Sequence, residues 1–423
     1  MQEDLLQFIW ANGLFNRSNL KTVDGLNVSI SHVGYLNKIA GPDFSEGKVR
    51  IADTLWAGSV EIHTRSSEWN NHKHQFDPAY NNVVLHVVYK HDQEVLNQRG
   101  EQIPTIELDG RISSSIISKY EQLKASKSSI PCEHSFRSVS AISFKAWLER
   151  LAISRLERKT VDIELIHKYT RGDWMETFYI QLAGYIGQGR NKLAFQQLSR
   201  AIPFNTLAKH ADNLFQLEAL LFGVAGLLKI SEPRDEYEDR LVKEFAFLKI
   251  KYGLVEINVV WKFGGLRPPN FPSRRLALMA SLFQKLASIQ ALVLGEGSLN
   301  DGAFEAQASD YWNTHFNFGV ENERPHPVKL SLGLEQILRI NVVVPYLFFY
   351  AIQVGDETFK EKAVELLNNT PPESNAITRR WNHLNVKPSN ASESQGLIEL
   401  STGYCDHKNC VLCNVGKQIL NHQ

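Results

Sequence analysis

Two carboxylates and a histidine in the first part of the chain have the types and spacing that a metal-dependent hydrolytic site needs. They are Asp43, Glu61 and His63. Because successive side chains of a strand point to opposite faces, Glu61 and His63 share one face, while Val60 and Ile62 share the other. Carboxylates on adjacent strands can hold a hard divalent ion such as Mg²⁺ or Mn²⁺, which polarises a water for in-line attack on a phosphodiester.

These three residues are expected to have different roles in such a site. Asp43 and Glu61 would bind the metal, and His63 would orient or deprotonate the attacking water. Glu46 is an alternative acid if the loop before it turns the other way. The competing interpretation is structural, with Asp43 as a turn residue and Glu61 as a solvated strand acid.

Histidines are concentrated next to these acids, since five of the 14 in the chain lie between residues 63 and 91. A zinc site with an open coordination position would combine imidazole nitrogens with one carboxylate oxygen. Its candidate ligands are His72, His74 and Asp77, completed by His63 or His86. The alternatives are that each histidine is simply hydrogen-bonded, or that His72 and His74 position a phosphate.

Three of the four cysteines lie in the last twenty residues, in the spacing C-x4-C-x2-C. They are Cys405, Cys410 and Cys413, and Cys132 is the natural fourth ligand for Zn²⁺ or an iron–sulfur cluster. His134 and His407 are substitute ligands. Such a site would couple folding of the chain end to metal binding, whereas reduced, unliganded thiols are the alternative.

The elements that must position these residues are predicted from hydrophobic periodicity. A helix is expected over residues 4–15, followed by strands over 26–33, 48–52, 56–63, 83–89 and 103–108, with a short helix or ordered loop before the fourth strand. Helical periodicity then predicts segments 174–185, 191–200, 214–229, 237–249, 274–293 and 334–353, and a last strand or turn at 396–400. The glycines around Gln188 indicate a helix break.

The fold class predicted from this pattern is α+β. We expect an N-terminal domain over residues 1–125 with the order αβββαβ, a larger all-helical domain over 126–395, and a Cys-rich tail over 396–423. A chain of 423 residues is too long for one typical core, which also favours several domains.

Composition limits the partners that the chain can have. Lysine plus arginine equals aspartate plus glutamate at 46 each, so no global basic field attracts nucleic acid. A nucleic-acid partner would therefore need a local patch, for which Arg267, Arg274 and Arg275 are the candidates; the alternative is that they serve packing and internal ion pairs. The start lacks a basic leader and no apolar run reaches about 20 residues, so no membrane segment and a cytoplasmic location are expected. The oligomeric state is left open.

The N-terminal order, with Pro42-Asp43 opening one strand and Glu61-Ile62-His63 closing the next, resembles the PD-(D/E)XK nuclease superfamily. The resemblance implies a restriction-endonuclease-like domain in which Asp43 and Glu61 bind metal. His63 stands where the superfamily has lysine, which is compatible with retained catalysis, a shifted pH dependence or an inactive relic. The cysteines resemble those of iron–sulfur nucleases of this superfamily, in which the lone cysteine precedes the catalytic motifs, whereas Cys132 follows them.

The whole chain also resembles an uncharacterised bacterial family that carries a domain-of-unknown-function label. The segments that indicate this are 40–44, 56–63, 85–88, 267–272 and the Cys-rich end. This family implies no activity, so three functions stay open. They are a metal-dependent nuclease-like hydrolase, a non-catalytic nucleic-acid-binding or scaffold protein with a degenerate nuclease fold, and a zinc-dependent hydrolase that uses the histidines.

Overall fold

The computed structural model describes residues 1–295 and 303–421, and the chain divides into two compact units. The first unit combines Met1–Trp147 with Leu400–Gln423, and the second comprises Leu148–Glu399. The predicted boundary at residue 125 and the separate tail therefore differ from the observed division. The first unit extends further along the chain and includes the Cys-rich end.

The first unit is built on a mixed sheet with α1 beside it. Helix α1 (Glu3–Asn12) buries its apolar residues and ends at Gly13, whose φ of 65° is the left-handed conformation that terminates helices. The strands are β1 (Val28–His32), β2 (Tyr35–Leu36), β3 (Phe44–Ile51), β4 (Thr54–Arg65), β5 (Val83–Lys90) and β6 (Thr105–Glu107). The short helix α2 (Glu68–Asn71) lies between β4 and β5, and α3 (Ser114–Ala125) follows the sheet.

Connection lengths explain the sheet topology. The strand order is β1-β3-β4-β5-β6, with β2 alongside β3. A two-residue turn joins β3 to β4, which pair antiparallel, whereas a longer crossover that contains α2 joins β4 to β5, which pair parallel. The predicted α+β class is confirmed at this level, as a mixed N-terminal sheet followed by a large helical region.

A β-bulge separates the regular part of the β3–β4 pair from the candidate acids. The register shifts between Phe44 and Gly47, and Glu46 has a φ of 57°. An extra residue in one strand bends it and interrupts the backbone ladder. Asp43 consequently lies just beyond the bulge, where side chains can take over the hydrogen bonds of the ladder.

The second unit is helical, apart from a two-stranded hairpin, β7 (His315–Asn317) and β8 (Val320–Glu321). Its helices, of which the first begins before Leu148 and the last ends at Leu400, are α4 (Ala141–Tyr169), α5 (Trp174–Ala201), α6 (Phe204–Ala208), α7 (Leu214–Val224), α8 (Glu236–Tyr252), α9 (Pro272–Phe283), α10 (Leu286–Leu294), α11 (Tyr311–Thr314), α12 (Leu332–Leu338), α13 (Val344–Val354), α14 (Glu357–Asn369), α15 (Ala376–Trp381) and α16 (Ala391–Leu400). The predicted break in α5 is confirmed by Gln188, whose φ is 49°. The first unit ends with α17 (Asn414–Asn421).

The predicted strand or turn at residues 396–400 is wrong, because these residues complete α16. A Cβ atom on Gly396 would lie 2.4 Å from the carbonyl oxygen of Leu148, so this glycine allows a close helix contact and does not mark a turn. Short apolar runs of this length do not distinguish a buried strand from a buried helix.

One continuous helical stretch, Leu332–Val354, is long and apolar enough to cross a membrane. The bent pair Pro272–Phe283 and Leu286–Leu294 would also qualify if counted as one span. In the first stretch 67% of the most apolar window is buried inside the protein, which is also the property of a core helix.

Candidate metal centre

The carboxylates of Asp43 and Glu61 are held by reciprocal hydrogen bonds between neighbouring strands. The backbone N–H of Asp43 donates to Glu61 Oε2 at 2.9 Å, and the backbone N–H of Ile62 donates to Asp43 Oδ2 at 3.1 Å. These bonds replace the ladder that the bulge interrupts. Both acids predicted from the sequence are therefore brought together and fixed in orientation.

Helix α1 adds two polar side chains that the sequence interpretation missed. Gln7 Nε2 donates to Asp43 Oδ1 at 2.9 Å and to Glu3 Oε1 at 3.2 Å. Residues four apart lie on the same face of a helix, so one face of α1 delivers both groups. The available signal was this i,i+4 polar pair on an otherwise strongly apolar helix.

Electrostatics at the three acids favour a bound cation. Burial, then the charges of Glu61 and Glu3, raise the pKa of Asp43 to about 7. Burial and the charge of Glu61 also raise the pKa of Glu3. The charges that act most strongly on Asp43 are thus other carboxylates, and a divalent cation between them would remove this repulsion.

Three imidazoles lie next to the carboxylates. His63, His72 and His74 each place a ligand atom within 4.8 Å of the other two. Among the described residues, they are the one group of three or more potential metal-ligating side chains at such distances. His63 Nε2 lies 3.2 Å from His72 Nδ1, and His63 Nδ1 lies 2.8 Å from His86 Nε2. Four of the predicted histidines therefore form one connected cluster.

Glu61 joins the carboxylate and imidazole halves of the centre. Its Oε1 atom lies 3.4 Å from His74 Nε2 and 3.6 Å from His63 Nε2. Tetrahedral ligands about 2.0–2.1 Å from Zn²⁺ would be separated by roughly 3.4 Å, which is close to these distances. The three histidines, together with Glu61 beside two of them, thus form a donor set of the type that a divalent transition metal takes.

Aromatic packing positions the segment that carries His72 and His74. Trp69 in α2 is fully buried, and its Nε1 donates to the carbonyl oxygen of Leu96 at 3.0 Å. The ring of Trp69 contacts that of His74 at 5.4 Å between centroids, Tyr80 stacks on His74 at 3.8 Å, and Trp69 and Tyr80 contact each other at 5.8 Å. The loop is thereby held over the ends of β4 and β5.

The solvent exposure of the imidazoles increases from one side of the centre to the other, so the centre has a buried side and a solvent-exposed side. His63 and His86 are buried, His74 is half-buried and His72 is exposed. Burial, followed by the charges of His74 and His72, lowers the pKa of His63 to about 3. His63 is consequently a neutral imidazole near pH 7 and does not supply the permanent charge of a lysine at this position.

Two acids considered from the sequence have other surroundings. Asp77 accepts a hydrogen bond from the backbone N–H of Ala79 at 2.9 Å and so caps the 3₁₀ turn Pro78–Tyr80. Glu46 lies on the bulge and is exposed. The structure does not bring either acid into the group of three histidines.

The three arginines predicted as a basic surface do not form one. Arg267 is exposed, but Arg274 and Arg275 retain only 1% and 8% of their accessible surface. Arg275 donates to Asn270 Oδ1 at 2.6 Å, and the Arg274 guanidinium lies over the ring of Phe316 at 5.1 Å. Packing of α9 into the helical core buries both side chains, so a surface phosphate does not reach them.

Comparison with known proteins gives a family and no activity. Neither the curated proteins nor the solved structures contain a significant match. The family described as protein of unknown function (DUF2851) matches residues 3–376, which include the candidate metal centre and Cys132 and end before the other three cysteines. On the strength of this nearly full-length match, the chain belongs to the DUF2851 family.

Proposed function

We propose that the protein is a metal-dependent hydrolase of phosphodiester bonds in nucleic acid. The observation that supports this most strongly is the convergence of donors from three separate parts of the first unit. Helix α1 supplies Glu3 and Gln7, the β3–β4 pair supplies Asp43 and Glu61, and the β4–β5 connection supplies imidazoles. Clusters of repelling acids beside neutral histidines are typical of metal sites and costly without a cation.

The residues present fit a divalent ion. His63, His72 and His74 would hold it, with Glu61, whose Oε1 approaches His63 and His74, and Asp43 as additional ligands. Such an ion supplies a Lewis acid that lowers the pKa of a water and neutralises phosphate charge. Imidazole donors favour Zn²⁺, and the carboxylates beside them also suit Mn²⁺, whereas Mg²⁺ prefers oxygen ligands throughout and retains its waters.

His86 positions His63 for this role. Each neutral imidazole carries one N–H, so in the 2.8 Å contact one ring donates and the other accepts. This bond directs His63 Nε2 towards Glu61 and His72. His63 would then hold one face of the ion or accept a proton from water, as a neutral base.

Two features underlie the proposal of a phosphodiester substrate. They are the negative charge of the acids and the order of helices and strands along the chain. Without a cation, the acids would repel a phosphate, so turnover should depend strictly on metal. The order α1, β1, β2, β3, β4, α2 and β5 along the chain differs from the αβββαβ order of the PD-(D/E)XK superfamily by the short strand β2, and the proposal takes the superfamily resemblance from the sequence. The exposed His72 marks the side on which a substrate would enter.

The test is cleavage of single- and double-stranded DNA and RNA by the purified full chain with Mn²⁺, Zn²⁺ or Mg²⁺. Asp43→Asn and Glu61→Gln should abolish cleavage and weaken metal binding in calorimetric titration. Asp53→Asn in the β3–β4 turn and Glu46→Gln on the bulge make the same chemical changes on exposed residues of the same hairpin and should retain both properties.

Other outcomes separate the remaining functions. Salt-sensitive nucleic-acid binding without cleavage under any metal would replace the proposal with a non-catalytic binding or scaffold role. Zinc binding with hydrolysis of simple esters, but not of nucleic acids, would support a zinc hydrolase instead. Loss of cleavage in Glu46→Gln alone would place the catalytic acid on the bulge.

A further inference from the structure

The Cys-rich end packs against the segment that contains Cys132. Helix α17 begins directly after Cys413 and contacts α3 and the 3₁₀ helix Glu133–Ser138. Gln418 Oε1 accepts from the backbone N–H of Ser140 at 3.2 Å, and Gln418 Nε2 donates to Ser143 Oγ at 2.8 Å. These contacts bring together parts of the chain that are far apart in sequence.

The four thiols form one cluster. All four cysteines are buried and none is in a disulfide. Burial raises the pKa of Cys132 to about 12, and the next largest contributions come from Cys413 and Cys410. Burial also raises the pKa of Cys405, with further contributions from Cys132, Cys413 and Cys410. These contributions agree with the packing of α17, which follows Cys413, against the 3₁₀ helix that follows Cys132, and they place the four cysteines in one region of the first unit.

A close backbone turn shapes this cluster. The N–H of Cys413 donates to the carbonyl oxygen of Cys410 at 3.2 Å. A Cβ atom on Gly416 would lie only 2.1 Å from that same oxygen, so α17 approaches the turn as closely as a glycine permits. Backbone turns between two cysteines separated by two residues are common in metal-binding knuckles.

Burial raises the pKa of all four thiols, and some groups around Cys410 and Cys413 act against this effect. Burial raises the pKa of Cys413, but the backbone N–H groups of Gly416 and Val415, followed by the Trp147 side chain, act in the opposite direction. Lys124 and Lys408 have the same lowering effect on the pKa of Cys410. Hydrogen bonds to sulfur and nearby cations are what thiolate ligands of a metal require.

The four sulfurs do not have the spacing that a single tetrahedral ion requires. Tetrahedral Zn–S bonds of about 2.3 Å would place each pair of sulfurs roughly 3.8 Å apart. No three of the four cysteine sulfurs, all of which are in the described residues, lie within 4.8 Å of one another. A polynuclear cluster places iron and sulfide between the cysteines, and C-x4-C-x2-C with one remote cysteine is a known ligand spacing for it.

We propose that Cys132, Cys405, Cys410 and Cys413 bind an iron–sulfur cluster that fastens the C-terminal end to the first unit. This site is separate from the histidine and carboxylate centre. It does not depend on the proposed hydrolase function. Its role is structural, since the four ligands join the segment after α3 to the segment before α17.

The test starts from the full chain purified without oxygen. Iron and acid-labile sulfide in equal amounts per chain, with a visible charge-transfer absorption, are expected. Stoichiometric zinc without iron would overturn the cluster, and a folded protein without either metal would overturn the site. Mössbauer spectra of ⁵⁷Fe-labelled protein distinguish a bound cluster from adventitious iron.

Each of Cys132→Ser, Cys405→Ser, Cys410→Ser and Cys413→Ser should lose most of the iron. His134→Ala and His407→Ala, which change the substitute ligands considered from the sequence, should retain it. If serine variants fail to fold, alkylation of the native chain decides the matter. All four thiols should be protected in the iron-loaded protein and become reactive after chelation, and reactivity that is equal in both states would contradict ligation.

Discussion

At the scale of single residues, the raised pKa of Asp43 has a direct consequence for stability. The unfolded carboxyl titrates near pH 4 and the folded one at about 7, so the folded state holds the proton more tightly. Stability therefore falls as pH rises from about 4 to 7, because deprotonation then opposes folding. Below pH 4 the contribution is fully present, and above 7 it is lost.

We predict that the metal-free first unit loses up to about 4 kcal/mol of stability between pH 4 and pH 8 through this group. Asp43→Asn should flatten the profile, and Mn²⁺ should restore stability at pH 8 in the wild type only. Urea titration with pulsed hydrogen exchange over residues 44–65 measures this unit alone. A profile that is unchanged in Asp43→Asn would show that Asp43 does not titrate in this range.

A second residue-scale prediction concerns His86, whose buried ring holds His63. His86→Leu removes the partner of His63 Nδ1 and should lower the affinity for Mn²⁺ or Zn²⁺ by about 10–100-fold, as loss of an outer hydrogen bond does at metal sites. The control is His134→Leu, because the His134 side chain is 91% exposed. Calorimetric titration measures both, and equal affinities would remove His86 from the centre.

At the scale of elements, local distortions of strands and helices determine which backbone groups are available for hydrogen bonds and close contacts. The bulge in β3 frees Asp43 for bonds to Glu61 and Ile62, whereas a regular ladder would have used those backbone groups. Glycine has the corresponding role in α17, where the helix backbone meets the cysteine turn. A side chain at Gly416 would occupy the position of the Cys410 carbonyl oxygen.

We predict opposite signs for two alanine substitutions in helices. Gly333→Ala in α12, which has no atom within 4 Å of the new Cβ, should stabilise its unit by about 0.5–1 kcal/mol through helix propensity. Gly416→Ala should destabilise the first unit by about 1–3 kcal/mol, because overpacking exceeds that gain. The free energy of unfolding of each unit measures the effect, and stabilisation by Gly416→Ala would contradict the close contact.

At the scale of the whole molecule, the first unit is assembled from both ends of the chain. Residues 400–421 contribute buried Val415, Ile419 and Leu420 to it. Burying such side chains contributes about 1.5–3 kcal/mol each, which is a large part of the stability of a typical domain. The chain end is thus a part of the first unit and not an appendage.

We therefore predict that deletion of residues 401–423 unfolds the first unit and leaves the second folded. Hydrogen exchange should show loss of protection over residues 1–147 and unchanged protection over the helices of 148–399. Deletion of residues 422–423 alone is the control and should change neither. Equal loss of protection in both units would contradict the division of the chain.

Sequence by itself predicted the longer strands and many of the helices, because burial of one face leaves a period of two or 3.6 residues that needs no knowledge of distant contacts. It did not predict β2, and the hairpin of β7 and β8 makes the expectation of an all-helical region over residues 126–395 wrong. The sequence also indicated Asp43, Glu61 and His63, since their spacing lies within one hairpin. Residues 396–400 were misassigned because an apolar run of that length fits either element.

Only the tertiary structure decided which distant groups meet. It placed Glu3 and Gln7 beside Asp43, joined the chain end to the segment of Cys132, and buried Arg274 and Arg275 in the helical core. None of these outcomes has a local signature, because each depends on how complementary surfaces far apart in sequence pack together.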